Sequence, residues 1–517
     1  MAQKITAKKF TLNIIISISV QIVSLAVSFV TTLIVPKFID EYNYAYWQTY
    51  VLYIAYVGVL HFGLLDGMVL RYSKYDYDEL DKPLLRSQFK ILLIFTSALT
   101  AIGMIVSLSA LHGTSMLIAL FVVIAITTKN IVTFSSYSFQ ITNRIDKYAI
   151  LSLAQRAIYG VEIALLLILG TKSFYWFCIA DLVCDVAGFC IAAIFNKGIY
   201  FGKSAPLKQA FAELKKNISG GIILMLANWS AMLLTSGAKM IVQWRWDELV
   251  FGKLSFAFSV SNVFLVFISA ASVVLFPSLK RVDQAKLPNI YVQMRNGMSL
   301  LLTTVLIFYF PGCWLLEKWL PQYVPSLTYL GILLPMIVYT SKVNLLTNNY
   351  LKAYRKERVM FIINLCTAVL GLSSFALCAY VFNNVYALLY CLVGVIAVNS
   401  VASEIAVQRV TGTKIIKEFI LEIAVCVAFI LCVQLLSRWW AMLAYFGCLV
   451  VYSALNYKAY IGIFRTIKGF FKKPKPAVVS AGAEQSDEIE PLNDVPDNGD
   501  VQIDELREQE IKEEKEE

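Results

Sequence analysis

The sequence predicts an all-α, polytopic membrane protein with about 14 transmembrane helices. Its 517 residues are 58% hydrophobic and only 15% charged, which is too apolar for a soluble protein of this length. A window of about 19 residues finds hydrophobic stretches long enough to cross a bilayer as helices. The predicted spans cover residues 11–35, 46–69, 88–110, 115–140, 148–170, 174–195, 219–240, 253–276, 296–316, 326–350, 358–380, 384–405, 416–436 and 440–462.

The first span and the orientation of the chain follow from the residues that flank the spans. Lys4, Lys8 and Lys9 precede a hydrophobic run that is too long for the core of a signal peptide, so we predict a retained first helix. Most of the 45 Lys and Arg residues flank the spans on the side of the N-terminus, which places both termini in the cytoplasm. Tryptophans mark the opposite ends, as interfacial anchors do: Trp47, Trp176, Trp244, Trp246, Trp314, Trp319, Trp439 and Trp440.

Landmarks of spans 1 to 6 recur in spans 7 to 12, which predicts two six-helix lobes related by a parallel internal repeat. Arg71 at the end of span 2 corresponds to Arg281 at the end of span 8, and Arg144 after span 4 corresponds to Arg355 after span 10. The predicted parts are an N-terminal lobe 1–195, a cytoplasmic inter-lobe loop 196–218, a C-terminal lobe 219–405, two extra C-terminal helices 406–465, and a basic, then acidic and disordered cytoplasmic tail 466–517.

The repeat places a lysine well inside each of two corresponding spans, Lys129 in span 4 and Lys342 in span 10. A lysine is costly in hydrocarbon, so each side chain needs a partner or a hydrated surface. Two ammonium groups at similar depth would repel each other unless an anion lay between them, which favours an anionic ligand group. The alternatives are a permanent carboxylate partner or a side chain that extends towards the membrane surface.

Polar residues at helical spacing follow Lys129 in span 4, and similar stripes lie in spans 1 and 7. They predict a hydrated cavity between the two lobes, because lipid cannot face such a stripe. Besides the two lysines, the predicted lining residues are Gln21, Ser24, Thr133, Ser136, Gln140, Asn228 and Lys239. The alternative interpretation is packing between helices, which we favour for the serine-rich stripe of span 8.

A second group of charged residues lies in spans 5 and 6: Arg156, Glu162, Asp181 and Asp185. Buried carboxylates that lie close to one another can take up protons, so coupling to an ion is one interpretation. The other is an ion pair between Arg156 and Asp185 that holds the N-terminal lobe together. Two further carboxylates, Glu404 and Glu422, are expected near the inner ends of their helices.

The sequence gives no sign of catalysis or metal binding. Its ten cysteines lie in or beside the spans without a CxxC pattern, which favours packing, and two histidines cannot form a metal site alone. P-loop, HExxH and GxSxG motifs are absent. We therefore predict no cofactor, no metal and no enzymatic activity. The short basic loops between spans also argue against nucleic-acid binding.

Two segments carry a resemblance to a known family. The first is VPKFIDEYNYAYWQTYVLYIAYVGVLHFGLLDGMVLRYSKY, with the step Phe62–Leu65 and Arg71 near its end. The second is PQYVPSLTYLGILLPMIVYTSKVNLLTNNYLKAYRKER. They resemble the opening hairpin and the tenth span of bacterial polysaccharide flippases, which handle O-antigen, capsule and exopolysaccharide precursors and belong to the multidrug/oligosaccharidyl-lipid/polysaccharide (MOP) exporter superfamily. The turn departs from the family pattern, since Tyr44 and Ala45 stand where a glycine is usual.

The resemblance implies a flippase of the bacterial inner membrane that moves polyprenyl-diphosphate-linked oligosaccharide by alternating access, for cell-surface polysaccharide synthesis. It implies a diphosphate site at Lys129 and Lys342. Sugar contacts are implied for Ser24, Ser136, Gln140 and Asn228. The implied partners are the lipid-linked oligosaccharide, membrane lipid, a polysaccharide polymerase and assembly proteins. The main alternative is a cation-coupled multidrug antiporter of the same superfamily; a non-transporting scaffold and a lipid-modifying enzyme are further alternatives.

Overall fold

The computed structural model describes residues 19–73, 75, 77–142, 144–279, 287–354, 356–413 and 416–457. The first residues of predicted span 1, the last residues of predicted span 14, the predicted landmarks Arg281 and Arg355 and the predicted tail 466–517 lie outside these ranges. Within them the protein is helical, and each of the fourteen predicted spans coincides with a helical segment.

We number these segments α1 to α14 in chain order. They are α1 Ser19–Phe38, α2 Glu41–His61 with Leu64–Tyr72, α3 Lys82–Ala110, α4 Gly113–Ile141, α5 Ile145–Ile168, α6 Phe174–Phe195, α7 Leu207–Arg245, α8 Glu248–Leu279, α9 Pro288–Trp319, α10 Pro321–Leu333 with Met336–Ala353, α11 Arg358–Val381, α12 Val385–Thr411, α13 Ile416–Leu435 and α14 Arg438–Leu455. By length and composition alone, ten helices of the described chain can cross a membrane, or up to thirteen if each bent pair is one span. The protein is therefore a multi-pass, all-helical membrane protein.

The segment predicted as an inter-lobe loop, 196–218, is largely helical. A short helix, Lys197–Tyr200, follows α6, and α7 begins at Leu207 directly after Pro206. The first turns of α7 are polar, so their hydropathy was too low to predict a span there. Packing against the first half stabilises these turns. Asn217 is fully buried there, and Gln88 of α3 donates a hydrogen bond to the Ala210 carbonyl at 2.9 Å.

Helix α2 is broken between its two parts by 54°. Phe62 and Gly63 both adopt positive φ values, 49° and 78°, and this left-handed pair ends one helix and starts the next. The second part of α2 then packs against α7 so closely that a Cβ at Gly67 would lie 1.8 Å from the Asn217 carbonyl oxygen. Only glycine fits at this crossing, so Gly63, Gly67 and Gly221 fix the approach of α2 and α7.

The same helix pairings occur in both halves of the chain, as a parallel repeat predicts. In the first half α2 contacts α4, α3 contacts α4, and α6 contacts both α4 and α5. In the second half α8 contacts α10, α9 contacts α10, and α12 contacts both α10 and α11. The extra helices α13 and α14 pack against each other and against α9. The boundaries of the two lobes remain a prediction.

Contacts join the two halves at both ends of the bundle. At the end predicted to face outwards, here the outer end, Lys37 Nζ donates to the Trp319 carbonyl and Trp319 Nε1 donates to the Leu33 carbonyl, both at 2.8 Å. At the opposite, inner end, Arg71 of α2 contacts Asn217 at 2.6 Å and Glu213 at 2.5 Å, both on α7. Helix α7 thus begins on the first half, while farther along it packs against α11 of the second half.

Candidate functional site

A cluster of charged residues lies between α4 and α6 in the first half. Lys129 Nζ is 2.8 Å from an Asp181 carboxylate oxygen and 3.1 Å from Asp185 Oδ1. The two aspartates are four residues apart on α6, so they share one face of that helix. Tyr50 of α2 donates to Asp181 at 2.7 Å, and Thr128 donates to Asp185 at 3.1 Å. We call these five residues the first cluster.

The first cluster is neither neutral nor closed. One ammonium group faces two carboxylates, so with all three ionised its net charge is −1. The side chains of Lys129 and Asp181 keep 24% and 20% of their surface, whereas Asp185 keeps 6%. An uncompensated charge inside a membrane is costly, so the surplus negative charge of this cluster calls for a compensating positive charge or for water.

The other residues predicted for this region lie apart from the ion pair. Asp185 pairs with Lys129 rather than with Arg156, which is exposed on α5. Glu162 of α5 is half-buried, and its Oε2 atom finds no hydrogen-bond partner among the described residues. The ion pair predicted between Arg156 and Asp185 is therefore wrong in its cation, because α4 and not the Arg156 face of α5 lies against Asp185. Coupling to an ion stays a prediction.

A second cluster of charges lies between α9, α10, α12 and α13. Lys342 Nζ contacts Glu404 and lies 2.6 Å from Glu422. Arg295 of α9 reaches the same two carboxylates, with its Nε 2.9 Å from Glu404 and a terminal nitrogen 3.0 Å from Glu422. Ser299 donates to Glu422 at 2.7 Å. These five residues form the second cluster.

The second cluster is balanced and sealed. Two cations face two carboxylates, and all four charged side chains are only 1–2% exposed. The Arg295 guanidinium also lies 5.2 Å from the centre of the Phe419 ring, which covers it. Glu404 and Glu422 lie within about two turns of the ends of α12 and α13 that are expected to face inwards, and both are buried inside the bundle. Such a network has no free charge to offer a ligand, so its evident role is to hold four helices together.

The geometry therefore separates the two lysines. Each one is neutralised by carboxylates from its own half, which is the arrangement of permanent carboxylate partners. No anion is needed between them, and Lys342 is too buried to line a cavity. Arg295 escaped the sequence analysis because it sits in the first turns of α9 and was grouped with the flanking basic residues. The signal available in the sequence was that two basic and two acidic residues fall in or beside spans 9, 10, 12 and 13.

The remaining predicted cavity residues lie on several surfaces. Gln21, Ser24, Thr133, Ser136 and Lys239 are half-buried, and Gln140 and Asn228 are exposed. Among them, Thr133 donates a hydrogen bond to the Lys129 carbonyl at 2.7 Å. Lys239 lies over two rings of α8, with its Nζ 5.7 Å from the centre of Phe258.

Comparisons with known proteins identify the fold. No protein-family model and no curated protein matches the sequence. An inward-facing multidrug resistance transporter of the MATE family and MOP superfamily matches with a TM-score of 0.59 at 12% identity, over 76% of this chain and 98% of that chain. The lipid II flippase MurJ in its inward closed conformation matches with a TM-score of 0.54 at 14% identity, over 87% of this chain and all of that chain. The fold is similar to that of these two transporters.

A third solved structure shows the same likeness of fold. A MATE P26A mutant gives the same result, with a TM-score of 0.51 at 12% identity over 78% of this chain and 97% of that chain. The likeness is one of fold, so the roles of individual side chains rest on the geometry of this chain. In that geometry the first cluster is the one charged site of the two that is both open and unbalanced.

Proposed function

We propose that this protein is an alternating-access exporter of polyprenyl-diphosphate-linked oligosaccharide in the bacterial inner membrane, with both termini in the cytoplasm. The fold supports transport, because solved structures with a similar fold include a multidrug transporter and a lipid II flippase. The resemblance of the α1–α2 and α10 segments to polysaccharide flippases supports the cargo. The observation that carries the mechanism is the open, acidic first cluster beside its sealed, neutral counterpart.

The first cluster would couple ion uptake to the cargo through an exchange of partners. While both aspartates are ionised, they hold Lys129. An ion taken up by this acidic pair satisfies a carboxylate and weakens its hold on the lysine. The ammonium group, already partly exposed, can then pair with a diphosphate. Loss of the ion would restore the original pairs and release the cargo.

The rest of the molecule would supply surface and movement. The hydroxyl and amide groups of Ser24, Ser136, Gln140 and Asn228 are half-buried or exposed, so they remain available to sugars. The prenyl chain would stay in lipid. The contacts between the halves at the outer and inner ends would open in turn, while the second cluster stays intact and keeps the C-terminal half rigid. A polysaccharide polymerase and assembly proteins are the proposed partners.

A cation-coupled multidrug antiporter is the second candidate, and the same cluster favours it. Two carboxylates with one lysine suit a cationic drug as well as they suit a proton. The two candidates differ at Lys129. A diphosphate needs its positive charge, whereas a cationic drug would bind better without it.

Transport by purified protein in proteoliposomes separates these candidates. The cargo would be a fluorescent polyprenyl-diphosphate oligosaccharide in one assay and ethidium in the other, each with a proton or sodium gradient. We expect Lys129→Gln to lower glycan transport at least about tenfold, the loss expected for one charged contact. The matched control is Lys90→Gln, which removes an exposed lysine of α3. Glycan transport at the wild-type rate by Lys129→Gln would exclude the partner exchange, and faster ethidium transport would favour the antiporter.

A further inference from the structure

A cavity of about 250 Å³ with a partly polar lining lies between α7, α10, α11 and α12, and none of its lining residues belongs to either charged cluster. Its lining side chains are amides and hydroxyls set in an aliphatic wall. The polar ones are Thr235, Thr340, Asn344, Asn364 and Asn399. Each lies about two turns or more from the nearest end of its helix, and thus at the depth of hydrocarbon.

The floor of the cavity is a fixed hydrogen-bond network. Asn399 Nδ2 donates to Asn364 Oδ1 at 3.1 Å and to Thr367 Oγ1 at 2.8 Å. All three side chains are buried. Amide groups at this depth are costly unless they are hydrogen-bonded, and this network satisfies part of their capacity while holding the ring of polar groups in place.

The opposite wall carries polar groups that are not used in this way. Asn344 is exposed to the cavity and lies in a π-helical turn, Val343–Thr347. Such turns occur frequently at functional sites, because the extra residue turns a side chain away from the regular face of the helix. Here the turn brings the amide of Asn344 into the cavity beside Thr340. The wall therefore offers donors and acceptors that a ligand can take up.

The charge of the lining selects the ligand. Among the described residues that line the cavity, none is charged, and Leu234 and Ile396 supply apolar surface. A phosphate would find no cation here, and a cation would find no carboxylate. A sugar ring fits this chemistry, since its hydroxyls exchange hydrogen bonds with amides while its C–H faces pack on aliphatic groups. Pockets for drug-sized ligands measure about 300–1,000 Å³, so this smaller cavity suits a single ring.

We propose that this cavity binds one uncharged sugar ring of the exported headgroup, an inference that rests on the proposed function. The cavity is linked through α7 to the first half of the protein. Thr235 is on the outer part of α7, and the inner part of the same helix is held to α2 by Arg71. The two parts of α7 meet at a bend of 56°. A sugar that fixes the outer part would therefore constrain the contact between α7 and the first half.

The experiment measures the thermal stability of the purified full chain with free sugars. The probes are glucose, galactose, N-acetylglucosamine and rhamnose, with sorbitol as the control for non-specific stabilisation by polyols. We expect at least one ring sugar to raise the melting temperature more than sorbitol does. Asn344→Leu and Thr340→Val each remove one lining group and should weaken that binding about tenfold. Asn349→Leu is the matched control, since this half-buried amide of α10 does not line the cavity.

The outcomes divide the two proposals. A sugar effect that disappears in Asn344→Leu and Thr340→Val but survives in Asn349→Leu supports the cavity as a sugar site. The absence of any effect beyond that of sorbitol, or an effect unchanged by both cavity variants, overturns it. Glycan transport is measured on the same variants. If Lys129→Gln transports glycan normally while the cavity variants lose sugar binding, the partner exchange fails and the sugar site stands. If glycan is transported but no sugar binds, the sugar site fails alone.

Discussion

The two charged clusters occupy corresponding places in the two halves, yet they differ in charge balance and in exposure. Both are centred on a lysine of the fourth helix of its half, Lys129 in α4 and Lys342 in α10. The first has one cation for two carboxylates and is partly exposed. The second has two cations for two carboxylates and is closed. The comparison teaches that charge balance and exposure, and not depth in the membrane, decide what a buried lysine can do.

The extra cation explains most of the difference. Arg295 supplies the charge that the first cluster lacks, and its planar guanidinium reaches both glutamates at once. With that charge in place every ionised group has a partner of opposite sign. Removal of one partner from such a network leaves a buried charge uncompensated, which costs far more than the net contribution of the pair.

The largest expected effect comes from removing each lysine. Lys342→Gln leaves Arg295 alone against two sealed carboxylates, and we expect a loss of about 3–5 kcal/mol in the free energy of unfolding. Lys129→Gln should cost only about 1–2 kcal/mol, because Lys129 and Asp181 are partly exposed and water can solvate the charges that remain. Chemical unfolding in detergent micelles measures both. Lys352→Gln, at an exposed position of α10, is the control. Equal losses for the two buried lysines would remove the distinction between the clusters.

Neutralising one carboxylate in each cluster is expected to have a smaller effect than removing a lysine. Glu404→Gln gives the second cluster a net charge of +1 and should cost about 3 kcal/mol. Asp185→Asn brings the first cluster to zero net charge and leaves Lys129 paired with Asp181, so no buried charge loses its partner and stability should change by less than about 1 kcal/mol. The same unfolding measurement applies. In proteoliposomes, Asp185→Asn should also weaken the dependence of glycan transport on the ion gradient; a full dependence on the gradient would mean that Asp185 has no part in coupling.

The smallest effect concerns the hydroxyl groups that complete each cluster. Ser299→Ala removes a hydrogen bond to the sealed Glu422 and should cost about 1.5 kcal/mol, the lower range for a bond to a charged group. Thr128→Val removes a longer bond to Asp185 beside a surface that is partly exposed, and should cost about 0.5 kcal/mol. Melting temperatures of the two variants would show the order. A greater loss in Thr128→Val would indicate that the first cluster is more closed than its exposure suggests.

The sequence predicted the helices well, because hydropathy over about 19 residues depends only on local composition. It also placed the residues of both clusters inside or beside the correct spans. The sequence could not predict which of those residues form ion pairs with one another. Lys129 could have met Asp185 or a ligand, and Asp185 could have met Arg156, and only the rotation and packing of α4 against α6 decides between them. Glu404 and Lys342 are 62 residues apart, with no local signal that joins them.

A departure from regular helix geometry kept the polar cavity out of reach of the sequence analysis. The sequence shows no clean polar stripe around Lys342, because that analysis assumes 3.6 residues per turn. The π-helical turn Val343–Thr347 shifts the face on which Asn344 lies, so its amide joins Asn364 and Asn399 across the cavity. An analysis by regular periodicity cannot find a site that depends on such a turn.

The close contact of α2 with α7 has a consequence for how the protein is made. Arg71 and Asn217 are 146 residues apart in the sequence, and helices α3 to α6 lie between them. The chain is synthesised from its N-terminus, so the groove formed by Gly63 and Gly67 enters the membrane long before its occupant exists. A nascent chain that ends after α6 contains the whole first half but lacks the helix that fills this groove. Biogenesis of the first half is therefore complete only when the ribosome has begun the second.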